Sequence, residues 1–286
     1  MPASVDLQGC LSSINCFIKQ LMGKPSQFLA FGPQKRIIGM IFTDDKMLGY
    51  GSAQRAFSDG DEISLDANYR RAHLPLVNPS HPDVIAIDED YCMGTYTTKR
   101  NSLVLPVSDE RLHETAIFIE LEKALRNTSF SGKIAWDLLD KRKKLLHATI
   151  SSGLSDDCTE HVTKALQSFL NTPPCKKYRL GGIFIGPVNT GRLYLKVYPE
   201  ANGAGHIFGE IQSLLGLKQT KFFLVGYFNL TDHLDQHQTQ ELSTILDRFR
   251  NETLWEDDIR ELWLISTQDD LVLSGKITKK IVRSEN

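Results

Sequence analysis

His147 and Thr149 flank Ala148 in the run Lys143-Lys-Leu-Leu-His-Ala-Thr-Ile150, and together they can do chemistry on a phosphate. The segment is apolar and β-prone after its basic start, and on a strand residues two apart share a face. An imidazole exchanges protons near neutral pH, and a hydroxyl beside it can bind an oxyanion. Further His-x-Thr tripeptides include those beginning at His161 and His237. Both fall in first turns of expected helices, where polar residues cap ends or face water.

Several elements must position this pair. Val5 to Met22 has apolar residues at helical spacing, and Phe28–Phe31, Ile37–Phe42 and Val84–Ile87 read as strands. Gly49 to Pro82 is rich in Gly, Asp, Asn, Ser and Pro and reads as long connections with little regular structure. From residue 101 the pattern becomes regular. Ser102–Val107 is an expected strand, Asp109–Arg126 a helix capped by Ser108, and Leu145–Ser151 the strand carrying His147. Asp157 and Glu160 resemble a capping box for a helix ending near Leu170. Tyr178–Gly186 and Arg192–Tyr198 form a hairpin around Pro187-Val-Asn-Thr-Gly191. Then follow a helix His206–Leu215, a strand Lys221–Phe228, a helix Asp235–Arg250 with Gln238 three residues after its cap, and strands Leu262–Ser266 and Leu271–Ile277.

The order strand, loop, helix, hairpin thus occurs twice. A shift of 76 residues sets Leu154, Asp156, His161, Thr163, Leu166 and Leu170 against the identical residues Leu230, Asp232, His237, Thr239, Leu242 and Leu246. Residues 102–282 read as two half-units packing their sheets around a shared groove.

A strand-borne His-x-Thr in a duplicated α+β domain resembles the two-histidine (2H) phosphoesterase superfamily, which includes RNA 2′,5′-ligase-like proteins and cyclic nucleotide phosphodiesterases. The resemblance spans roughly Ser102 to Ile277. It implies a two-lobed α+β domain, residues 101–286, with antiparallel sheets around a central groove. Residues 1–100 would be an N-terminal extension serving as a lid or lobe addition. It further implies His147 as acid/base and Thr149 as the phosphate-binding hydroxyl. In-line displacement at phosphorus needs a base and an acid on opposite sides of the phosphorus atom, hence two histidines in that family. This sequence departs from the pattern, because the 76-residue shift matches His147 and Thr149 with Phe223 and Val225. Lys196, Tyr194, Arg192 and Tyr227 are the candidates for substrate binding in a groove between the halves, with His206 a further polar group nearby.

Composition narrows the partners. Hydrophobic content of 41%, charged content of 24% and net charge −2 describe a globular protein whose overall field favours neither DNA nor an anionic membrane. Basic runs such as Lys141-Arg-Lys-Lys144 read as solvated faces. Five cysteines form no Cys-x-x-Cys pair, no zinc spacing is present, and the N-terminus lacks a signal-peptide pattern. The expected home is the cytoplasm, with no cofactor and no metal. The partner is a small nucleotide or RNA-end substrate, and oligomeric state is left open. Two functions stay open: a phosphodiesterase-type hydrolase, or a catalytically degenerate nucleotide- or RNA-binding module.

Overall fold

The computed structural model describes residues 41–88, 90–155, 159–203 and 205–284. The expected helix over Val5–Met22, the strand Phe28–Phe31 and the cap at Asp157 lie outside the described residues, as do residues 37–40 of the expected strand Ile37–Phe42. In chain order the elements are α1 Asp45–Leu48, α2 Tyr50–Ala53, α3 Ala67–Ala72, α4 Leu74–Val77, β1 Ile87–Asp88, β2 Tyr91–Cys92 and β3 Thr95–Pro106. Then come α5 Asp109–Glu114, α6 Ala116–Arg126, α7 Trp136–Arg142, β4 His147–Ser152, α8 Thr159–Asn171, β5 Lys177–Phe184 and β6 Arg192–Pro199. A two-residue pair, β7 Ala201–Asn202 and β8 Gly205–His206, precedes α9 Ile207–Leu214. The chain ends with β9 Leu224–Asn229, α10 Gln236–Phe249, β10 Thr253–Asp258, β11 Glu261–Asp269 and β12 Lys276–Val282.

Local chemistry accounts for several boundaries. Asp235 and Gln238 form the expected capping box of α10. Ser108 caps α5 by accepting from Arg111 N–H. The helix expected over 109–126 is two, because Thr115 is extended and its hydroxyl donates back to the Arg111 carbonyl at 2.9 Å. Residues 49–82, expected to be irregular, hold three short helices that bury Tyr50, Tyr69 and Leu74. The last strand begins at Lys276 rather than Leu271, since Asp269 folds 270–275 into a turn by accepting from the N–H groups of Leu273 and Ser274.

Ten strands form one antiparallel sheet with the path β10-β5-β6-β9-β4-β3, and β11 pairs with both β3 and β12. One sheet stands where separate sheets were expected, because β4 and β9 meet at its centre through the pair Ala148↔Val225. The expected boundary at residue 100 falls inside β3. Phe42, Tyr50, Ile63, Tyr69 and Leu74, from before it, share the main core with Leu103, Ala148, Val225 and Leu242.

Helices cover the face of the sheet that carries Ala148, Phe223, Val225 and Tyr227. Phe223 meets Phe208 of α9 edge to face, and Tyr227 meets Phe118 of α6 in the same way. These residues are fully buried. The opposite face carries His147, Thr149, Leu224, Arg192 and Tyr194, all only half-buried. No helix among the described residues is long and apolar enough to cross a membrane.

Candidate functional site

Strand β4 presents His147 and Thr149 side by side on the more open face, as the two-residue spacing requires. The ring of His147 is oriented by its own strand entrance, with Nδ1 donating to the Leu145 carbonyl at 2.6 Å. That bond places the proton on Nδ1 and leaves Nε2 as the basic nitrogen. Burial pushes the imidazole down to about 4, and the positive charges of Arg142 and Arg192 act in the same direction. The ring is therefore neutral at physiological pH. No described residue hydrogen-bonds the Thr149 hydroxyl.

What lies across from the pair follows from the ladder. Pairing of Ala148 with Val225 sets Gly226 opposite His147 and Leu224 opposite Thr149. Phe223 and Val225, where the 76-residue shift places a second motif, point into the core instead. A one-residue difference in register exchanges the two faces of a strand. Gly226 has no side chain to offer, and its space is filled: a Cβ there would collide with the Arg192 guanidinium. Arg192 reaches it from β6, whose register against β9 slips between Leu193 and Tyr194, leaving Tyr227 as the extra residue of a bulge.

Two arginines meet at this point. Arg192 donates from Nη1 to His73 Nε2 at 2.8 Å and to the Asp270 carbonyl at 3.1 Å, while its Nε is buried without a partner. Arg142 is buried. It donates to the carbonyls of Leu271 (3.0 Å), Tyr227 (3.0 Å) and Gly226 (2.7 Å). Burial and the neighbouring Arg192 lower Arg142 to about 9. Both guanidiniums are met by carbonyls and an imidazole, and no carboxylate pairs with either among the described residues. The nearest acids are engaged elsewhere. Asp269 holds the turn described above, and Asp270 accepts from the hydroxyls of Tyr91 and Tyr96.

His73 lies behind Arg192, stacked on Tyr69 with 5.1 Å between centroids. Burial, then Arg192 and Arg142, hold its imidazole well below the ordinary histidine value. Asn229, the ladder partner of Arg192, is buried with both amide atoms unpartnered. Unneutralised buried positive charge is costly unless an anion offsets it. Arginine forks suit phosphate and carboxylate oxygens.

The other expected residues divide. Tyr194 lies on this face, its ring 5.4 Å from the Arg192 guanidinium carbon, and burial raises its hydroxyl above the ordinary tyrosine value. Lys196 is fully buried, with Nζ 3.1 Å from the Asp45 carboxylate and close to the rings of Tyr50 and Tyr198. Tyr227 belongs to the helix-covered face, where its hydroxyl donates to Asp109 at 2.8 Å. His206 caps α9 by accepting from Gly209 N–H and packs against Phe223. His237 is exposed on α10, as a solvated helix residue should be. The structure thus gathers His147, Thr149, Arg192 and Tyr194, and it places Lys196, Tyr227 and His206 elsewhere.

Sequence reasoning missed Arg142, Gly226, His73 and Asn229. Arg142 sits in a basic run read as a solvated face. Its neighbours Lys141, Lys143 and Lys144 are exposed as expected.

His81, Asp232 and His233 approach closely enough to suggest a metal. Their hydrogen bonds argue otherwise. His81 Nδ1 accepts from Asp83 N–H at 3.1 Å, and His233 Nδ1 accepts from Leu65 N–H at 2.9 Å. Each ring must then carry its proton on Nε2, which donates to Asp232 (3.1 Å) and Asp83 (2.7 Å) respectively. Metal on either Nε2 would demand an imidazolate. The cluster is a hydrogen-bonded clasp between two loops.

Fold and residues together define an α+β protein built on a large antiparallel sheet, whose less covered face carries His147, Thr149, Tyr194 and Arg192. No protein-family model and no curated protein matches the sequence. Among solved structures it is similar to TT0787 of Thermus thermophilus, at 13% identity and a TM-score of 0.37, over 65% of this chain and 100% of that one. At that score the likeness is too slight to assign an activity.

Proposed function

We propose that the open face of β4, β9 and β6 binds and processes a phosphate compound: a cyclic phosphate, an RNA end or a nucleotide derivative. His147 Nε2 acts in proton transfer, and the Thr149 hydroxyl binds a nonbridging oxygen. The observation that carries this reading is an oriented imidazole on β4 whose neighbouring strand β9 holds Gly226, where Arg192 and Arg142 converge without a carboxylate pairing with either among the described residues. Preorganised donors aimed at developing negative charge are the largest resource of such sites. Turnover of a panel of 2′,3′-cyclic nucleotides, phosphorylated RNA ends and nucleotide derivatives tests it, with His147→Ala as control. Equal rates for the two proteins would remove His147 from the mechanism.

A second reading is favoured by Leu224 and Gly226, which stand where a second catalytic pair would have to be. In that case the face is a nucleotide- or RNA-binding module that uses the same arginines without turnover. Calorimetry with nucleotides and short RNAs separates the two: binding without turnover supports the module.

A further inference from the structure

In-line displacement needs a group to take the proton of the attacking water and something to meet the charge on the leaving oxygen, on the far side of phosphorus. His147 Nε2 fits the first role, since Nδ1 is committed to the Leu145 carbonyl. Across the ladder the second place belongs to Gly226, covered by Arg192 and backed by Arg142. The guanidinium over Gly226, that of Arg192, supplies charge and N–H donors but is no proton donor.

Among the described residues, the remaining groups do not replace the missing acid. Burial raises the Tyr194 hydroxyl above its ordinary value, so it releases its proton less readily, and Lys196 is tied to Asp45. Tyr227 donates to Asp109 on the other face, and His73 Nε2 already accepts from Arg192. Nor can His147 easily serve as its own acid. With a value of about 4, roughly one ring in a thousand is protonated at pH 7.

We propose that the bond broken here joins two phosphoryl groups, so that the substrate is a phosphoric anhydride rather than a cyclic or linear ribose diester. A water oxygen adds to phosphorus and its proton passes to His147 Nε2. The bond from phosphorus to the bridging oxygen breaks, and the departing phosphate leaves with the electron pair, its new charge met by Arg192. His147 then returns the proton to solvent, and the products are two phosphates. A phosphate leaves readily because its own second pKa is only about 6. A ribose alkoxide is far more basic and would need a proton that this side of the site does not give. This inference rests on the phosphate-processing reading and narrows its substrate class.

The test measures phosphate release by the full chain from inorganic pyrophosphate, ADP and ATP, and ring opening of adenosine 2′,3′-cyclic phosphate. Each substrate is tried with and without magnesium. The pyrophosphate and nucleotide arms distinguish the two sources of an anhydride. We expect anhydride turnover that falls about 100-fold or more in His147→Gln and in Arg192→Met, with partial recovery in Arg192→Lys. Thermal melts verify that each variant is folded, and Thr149→Val serves should His147→Gln fail to fold. A series of aryl phosphodiesters gives a second readout, with rates expected to fall steeply as the leaving phenol becomes more basic. A flat dependence would overturn the proposal. Turnover of the cyclic nucleotide without the anhydrides would overturn it too, while leaving the phosphate-processing reading intact. Turnover of neither would remove both.

Discussion

Arg192 lies in the space that a side chain at position 226 would fill, and Gly226 adjoins Val225, the ladder partner of Ala148 next to His147. The missing side chain admits the guanidinium to the face that carries His147 and Thr149. The same glycine's carbonyl accepts from Arg142, so position 226 touches both arginines, one buried and one half-buried.

Gly226→Ala should therefore force Arg192 out or strain the sheet, at about 1–3 kcal/mol of stability. Phosphate binding, read by calorimetry, should weaken with it. In an Arg192→Ala background the same change should be nearly neutral, because the collision is gone. A double-mutant cycle in urea measures this, and additive effects would contradict the packing described.

Acid should destabilise the protein through His147. Its folded value of about 4 lies below the ordinary 6.5, so between these values the unfolded chain binds more protons. Stability is then full above about pH 6.5 and falls as pH drops toward 4, by at most about 3 kcal/mol for this group. His73 acts in the same direction. Unfolding free energies from urea titrations at pH 4.5 and 7 should differ less in His147→Gln than in the wild type, by about 2 kcal/mol. An unchanged difference would show that the ring is not held neutral.

The β11–β12 turn delivers the carbonyls of Asp270 and Leu271 to the two arginines. Val272 within it has φ of 60°, strained for a β-branched residue, and a Cβ on Gly275 would collide with its side chain. Gly275→Ala should cost about 1–3 kcal/mol and weaken phosphate binding. Thermal melts and calorimetry should recover together in Val272→Gly/Gly275→Ala.

Lys196 and Tyr227 should affect stability alone. Asp45→Ala leaves the buried ammonium of Lys196 unpaired and should cost about 3–5 kcal/mol. Lys196→Met, which leaves a partly exposed carboxylate instead, should cost less. Tyr227→Phe should cost about 1 kcal/mol through the bond to Asp109. None of the three should change affinity for inorganic phosphate, and a clear loss in any of them would return that residue to the site.

Short-range features were legible before the structure. The capping box at Asp235, the hairpin around Asn189 and the shared face of His147 and Thr149 each depend on a few neighbouring residues. Features depending on distant segments were not. Arg142 reads as solvated from its basic neighbours, yet it is buried because the carbonyls of Gly226, Tyr227 and Leu271 converge on it. Lys196 and Tyr194 share a strand face, and only the packing of α1 and α2 separates their fates.

The sequence by itself determined that one imidazole and one hydroxyl stand together on a strand, because the two-residue period is a property of the local backbone. Tertiary structure alone decided what faces them. The register between β4 and β9 is set by which residues fill the core beneath, and a slip of one would exchange faces. With Phe223 and Val225 taken by that core, Gly226 turns toward His147, and its empty place goes to Arg192.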